Sequence, residues 1–163
     1  MADFSTSIDI GAPPEAVFAR LVTAEGMVSW MGQHAELEPV PGGGFAVDIG
    51  GTLIRGRYLE VDPPHRVVVS WGMAGSDDLP PGSSRVEFTL TGIPGGTLLR
   101  LVHTGLPDTR ARGHAAGWAH YLARLRMAAA GTDPGPDSWA AGGEAGAARP
   151  RPGTADTLAP EER

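Results

Sequence analysis

Between residues 33 and 106 the chain divides into six short runs in which apolar and polar residues alternate, each run closed by Gly or Pro. The runs are 33–39, 45–51, 52–62, 66–73, 85–93 and 96–106, with "VPGGG", "PPH" and "PGG" among the connections. Alternation at period two puts one set of side chains on a buried face and the other in water, which is the pattern of a strand. Connections this short cannot carry a parallel crossover, so consecutive strands must pair antiparallel. Residues 3–11, alternating around Ile8 and Ile10, add a further strand. "APPEAVFARLV" (12–22) opens a helix on prolines, whose missing N–H groups cost nothing in a first turn, and its apolar face is Val17, Phe18 and Leu21. "TAEGMVSWM" (23–31) reads as a second, shorter helix weakened by Gly26. Pro107 ends the last strand, and a long helix then runs to about Ala129.

One long helix must bury its apolar stripe on the sheet. The order therefore predicts an α+β fold, a curved antiparallel sheet of about seven strands wrapped around a long C-terminal helix, with two short helices after strand 1. A sheet that grips one helix encloses space, and such a space is a usual place for a ligand.

From Ala130 to Arg163, 19 of 34 residues are Ala, Gly or Pro. That composition buries too little surface to offset the entropy of ordering. The expectation is one domain over residues 1–130 and a disordered Ala/Gly/Pro-rich tail over 131–163. A net charge of -6 without any basic block offers nucleic acid no footprint. The absence of cysteine excludes thiol chemistry and disulfides. The N-terminus lacks the charged-then-apolar order of a signal peptide, and no run approaches the roughly 18 apolar residues of a membrane helix. A cytoplasmic protein without membrane insertion is expected, as monomer or homodimer.

Three of the five histidines, His103, His114 and His120, surround the long helix. On a helical wheel centred on Trp118, His114 and Tyr121 share the buried stripe with Leu122 and Leu125, whereas His120 lies opposite, beside Arg124, facing solvent. His114 and His120 therefore cannot chelate one metal, and neither a metal nor a cofactor is expected. His103 shares a strand face with Leu99 and Leu101 and also looks inward. His103 and His114 are then either hydrogen-bonded core histidines, polar anchors for a ligand, or an acid–base pair. The sets Val67, Val69, Trp71 and Met73, Val86, Phe88 and Leu90, and Phe45, Val47 and Ile49 each form an inward face. Arg55 and Arg57 are in phase with Leu53, Leu59 and Val61. They either enter the interior with an anionic partner or lie on the surface, and Gly56 between them marks a close backbone approach or a bulge. Glu36, Glu38, Asp77 and Asp78 read as solvated, and no Ser-His-Asp arrangement is evident.

The segments "APPEAVFARLVTAEGMVSWM", "GRYLEVDPPHRVVVSW", "GTLLRLVHTGL" and "HAAGWAHYLARL" resemble the helix-grip superfamily (START-like, Bet v-like or SRPBCC), and within it the branch of the activator of heat-shock protein 90 ATPase. The resemblance covers about residues 5–129. It departs from the family where a Trp-Trp pair often follows the second helix, which here is Trp30-Met31, a change expected to reshape the cavity mouth. The resemblance implies a cavity for a small hydrophobic or amphipathic ligand. Trp30, Trp71, Phe88 and Trp118 are the expected apolar wall, with His103, His114, Tyr121 and Arg57 as orienting groups. Relatives in this superfamily also imply two rivals, a polyketide cyclase- or dehydratase-like enzyme using a cavity histidine, and a chaperone-activator-like module that binds a protein partner.

Overall fold

The computed structural model of the chain describes residues 2–139. β1 (Ala2–Ile10) leads into α1 (Pro14–Val22) and α2 (Ala24–Val28). β2 (His34–Leu37), β3 (Gly44–Ile49), β4 (Thr52–Asp62), β5 (Arg66–Met73), β6 (Ser84–Ile93) and β7 (Gly96–Leu106) follow, and α3 (Asp108–Ala129) comes last. The strands form one antiparallel sheet in the order β1-β7-β6-β5-β4-β3-β2. β1 pairs with the last strand rather than with β2, so the two short helices carry the chain from one sheet edge to the other. α3 leaves β7 and packs back against β1 and α1 on the concave side.

The period-two pattern decides which face is concave. Phe45, Val47 and Ile49 of β3, Val67, Val69, Trp71 and Met73 of β5, Val86, Phe88 and Leu90 of β6, and Leu99, Leu101 and His103 of β7 are all buried there. Val17, Phe18 and Leu21 of α1 and Trp118, Tyr121, Leu122 and Leu125 of α3 close the same core. Burying each large apolar side chain contributes about 1.5–3 kcal/mol, so this shared face dominates the stabilisation. Where the chain changes direction, side chains supply the hydrogen bonds. Thr23 ends α1 and caps α2, its hydroxyl accepting from the Gly26 N–H at 3.0 Å.

β4 departs from simple alternation. Ile54 and Tyr58 point inward, while Leu53, Arg55, Arg57 and Leu59 lie on the outer face. A register shift between Tyr58 and Glu60 then reverses the phase, so that Val61 pairs with the inward Val67 and packs on the core. The bulge is why Val61 shares its spacing with the two arginines but not their face. Arg55 is bonded to Asp48 on the neighbouring strand (Nη1 to Oδ1, 2.8 Å), and the exposed Arg57 donates to the Gly42 carbonyl. The placement of Arg57 among the cavity groups is thus corrected. Gly56 is a close approach, since a Cβ there would collide with the Ser70 carbonyl.

A second departure follows α3. Residues 131–139, expected to lie in a disordered tail, turn back onto the domain. Trp139 packs against the core, and the Asp137 side chain is only 6% exposed. The rest of the expected tail, 140–163, lies outside the described residues.

Candidate functional site

A cavity of about 430 Å³ opens between α3 and strands β3–β5. Its sheet wall is Ile49, Thr52, Ile54, Trp71 and Met73, and its helix wall runs from Thr109 and Arg110 through His114 and Trp118 to Tyr121. Gly113 and Gly117 lie on that helix wall, where the lack of a side chain keeps the space open. Each glycine in a helix interior costs about 1 kcal/mol relative to alanine, so the opening is made at some expense to α3. Met31 completes the rim beside Trp139. The residue standing in place of the second tryptophan of the family's pair therefore lines the cavity.

Of the eight residues expected at the site, Trp71, His114, Trp118 and Tyr121 are brought together at the cavity. Trp30 is wholly buried elsewhere, its indole N–H donating to the Arg20 carbonyl at 3.0 Å. Phe88 is buried behind Trp118, edge to face, with ring centroids 5.9 Å apart. His103 is also behind Trp118 and has no exposed surface. Arg57 is on the outer face of the sheet.

The hydrogen bonds assign the histidine tautomers. The Trp118 indole can only donate, and it donates to His103 Nδ1 at 3.0 Å. The His103 proton therefore sits on Nε2 and is donated to Ser84 Oγ at 2.8 Å, whose own hydroxyl donates to the Trp71 carbonyl at 2.8 Å. Ser84 and His103 resemble a nucleophile–base pair in distance only, because here the histidine is the donor and neither ring nitrogen is free to take a proton. Trp71 Nε1–H likewise donates to His114 Nε2 at 3.3 Å, which places the His114 proton on Nδ1, bonded to the Arg110 carbonyl at 3.2 Å. Burial pushes the His103 pKa down to about 3, helped by the neighbouring His114, and burial also lowers that of His114. Both rings are neutral near pH 7.

At the other end of the cavity sits a charged pair absent from the expected site. Arg110 grips Asp78 with two bonds, Nε to Oδ2 at 2.8 Å and Nη2 to Oδ1 at 2.9 Å. Ser76 and Thr109 also donate to this carboxylate. The bonds from Arg110 and Ser76 hold the Asp78 carboxyl well below the usual carboxylate range. Asp78 is exposed, as its reading as solvated requires, and it also pins the β5–β6 loop to the start of α3. The available signal was Arg110 itself, one helical turn before His114 on the same stripe.

His120 is also corrected. It faces away from the sheet, as the wheel requires, but not into open solvent. His120 Nε2 lies 2.8 Å from Asp137 Oδ1, and its ring stacks on Trp139 with centroids 5.0 Å apart. Tyr121 donates its hydroxyl to Asp137 Oδ2 at 2.6 Å. Burial pushes the Asp137 carboxyl upward, but hydrogen bonds from Tyr121, His120 and the Trp139 backbone leave it below its ordinary value. Burial, then the Asp137 bond, raises the pKa of Tyr121. Among the described residues, no group of three or more His, Asp or Glu side chains is placed to hold a metal ion, and no helix is long and apolar enough to cross a membrane.

The family model for activator of Hsp90 ATPase homolog 1-like proteins matches residues 11–130. The chain belongs to this family. It is 48% identical to an AHSA1-like protein from Rhizobium etli, over 83% of this chain and 86% of that one, with a TM-score of 0.67. It is 27% identical to CalU16 from Micromonospora echinospora, over 82% and 69% of the two chains, at a TM-score of 0.69. The Aha1 dimer from Colwellia psychrerythraea has the same fold, with 20% identity over 84% of this chain and 100% of that one and a TM-score of 0.70. No curated protein shows significant sequence similarity to the chain. The architecture is the helix-grip fold that the sequence resemblance implied.

Proposed function

We propose that the chain binds a small, flat, largely apolar molecule in the cavity between α3 and β3–β5. The observation that carries this reading is the division of the cavity wall. Indole, imidazole and thioether groups (Trp71, Trp118, His114 and Met73) form its middle, and Asp78, Thr109 and Arg110 form one polar end. Its volume, about 430 Å³, falls in the usual range for small-molecule sites. Aromatic faces favour a planar ligand, and a polar end favours one with a hydrogen-bonding group at its edge. Arg110, which lines this end, is fixed there by its two bonds to Asp78.

The catalytic alternative needs a cavity histidine with a free nitrogen. His114 reaches the cavity, but Trp71 and the Arg110 carbonyl occupy both its nitrogens, which favours a binding role over acid–base work. The partner-binding alternative needs an outer apolar patch. The exposed large apolar residues among those described are Val40, Leu53, Leu59 and Met127, dispersed over a turn, β4 and α3. Single exposed residues of this kind are ordinary surface.

Fluorescence titration with 8-anilinonaphthalene-1-sulfonate tests the reading. One saturable site is expected. Ile54→Phe, which grows into the cavity, should weaken it about tenfold, the scale of a misfit of 1–2 kcal/mol. Arg57→Ala, on the outer face, should leave it unchanged. Binding indifferent to Ile54→Phe, or no saturable binding, would refute the assignment.

A further inference from the structure

We propose that residues 131–139 form a strap over this cavity, with Trp139 as a movable wall and Asp137 as the latch that holds it. The segment begins just after residues 11–130, the part of the chain that the family model matches. Its return is built locally. Gly131, at φ 90°, takes the left-handed conformation after α3, the Gly131 N–H bonds the Ala128 carbonyl, and the Thr132 N–H bonds the Met127 carbonyl. Those two bonds are the Schellman motif, which ends a helix and turns the chain away from its axis. Asp133 then accepts from the Gly135 N–H at 2.8 Å, and Pro134 and Pro136 stiffen the path.

The far end of the strap is held by few ties. Asp137 bonds His120 and Tyr121, Arg124 reaches the Pro136 carbonyl at 3.4 Å, and Trp139 stacks on His120. Among the described residues, no backbone–backbone hydrogen bond joins residues 133–139 to the domain. An element held only by side chains opens at lower cost than one held by a strand ladder. Trp139 is seated over Gly117, where a Cβ would lie 3.7 Å from its ring, and it forms part of the cavity wall. Its departure widens the space between α3 and Met31. Tyr121 belongs both to the latch and to the cavity wall. A ligand that takes the Tyr121 hydroxyl hydrogen thus competes directly with Asp137, which couples occupancy to release of the strap.

The role of the strap rests on the cavity being a ligand site, whereas its test reads access alone. In the full chain, oxidation of single methionines by hydrogen peroxide is followed by peptide mass spectrometry. Met31 and Met73 line the cavity, Met27 is buried away from it, and Met127 is exposed. In Asp137→Asn, which loses charge-assisted bonds holding the closed state, and in Trp139→Ala, which removes the wall itself, Met31 and Met73 should oxidise about tenfold faster. Met27 should stay protected, and Met127 should react as before. Asp137→Asn preserves side-chain size and decides the question if Trp139→Ala fails to fold. Equal Met31 and Met73 rates in parent and variants overturn the strap while leaving the ligand reading intact. Faster rates in a protein that binds no probe support the strap and remove the ligand reading.

Discussion

His103 shows how little a residue type says before its partners are known. Its sequence context placed it inward, and the structure agrees, yet it serves as a link in the chain Trp118, His103, Ser84, Trp71 carbonyl. Protonating it would set an N–H against the Trp118 N–H. The consequence is a stability that depends on pH. With a native pKa near 3 against about 6.5 for an unfolded histidine, only the unfolded chain takes up this proton between those values. Stability is therefore complete above about pH 6.5 and falls as pH drops toward 3, by about 1.4 kcal/mol per unit at most. His103→Gln removes that dependence. Between pH 6.5 and 4 the parent should lose about 3 kcal/mol more than the variant, measured by urea denaturation across a pH series. Parallel curves would mean that the ring is protonated in the native state.

α3 is the element that makes both core and cavity. Its wheel was legible because Trp118, Leu122 and Leu125 recur at helical spacing, and these residues are buried. The cavity was less legible because it depends on what Gly113 and Gly117 leave out and on Arg110, whose partner comes from a loop without periodicity. The β4 arginines were ambiguous for a related reason. Alternation assigns a face only until a bulge, and no single residue announces the one between Tyr58 and Glu60. Trp118 joins the two roles of the helix, packing on Phe88 and Trp71 while giving His103 its hydrogen bond. Trp118→Ala should therefore cost about 3–5 kcal/mol, read from equilibrium denaturation. A near-neutral result would show that the indole works as cavity lining rather than as core.

At the scale of the molecule, the antiparallel pairing of β2 to β7 follows from their short connections, and the inward faces follow from period-two and helical spacing, whereas the pairing of β1 with β7 is not legible in any spacing. The failure at residues 131–139 has a different source. Composition averaged over 34 residues is dominated by Ala, Gly and Pro, and the average conceals "GTDPGPDSW", whose tie to the domain needs only one carboxylate and one indole. Gly131 after the last helical turn was the readable signal, since a glycine there reverses the chain. A chain ending after Asp133 loses Asp137 and Trp139 together, and with them the bonds to His120 and Tyr121. It should lose about 2 kcal/mol, the scale of hydrogen bonds to a charged group, and its thermal midpoint should fall by about 6 °C. A chain ending after Trp139 should keep the parent midpoint, because every contact of the strap described above is retained. If both truncations melt with the full chain, residues 134–139 contribute nothing to the native state, and the latch at Asp137 has no energetic basis.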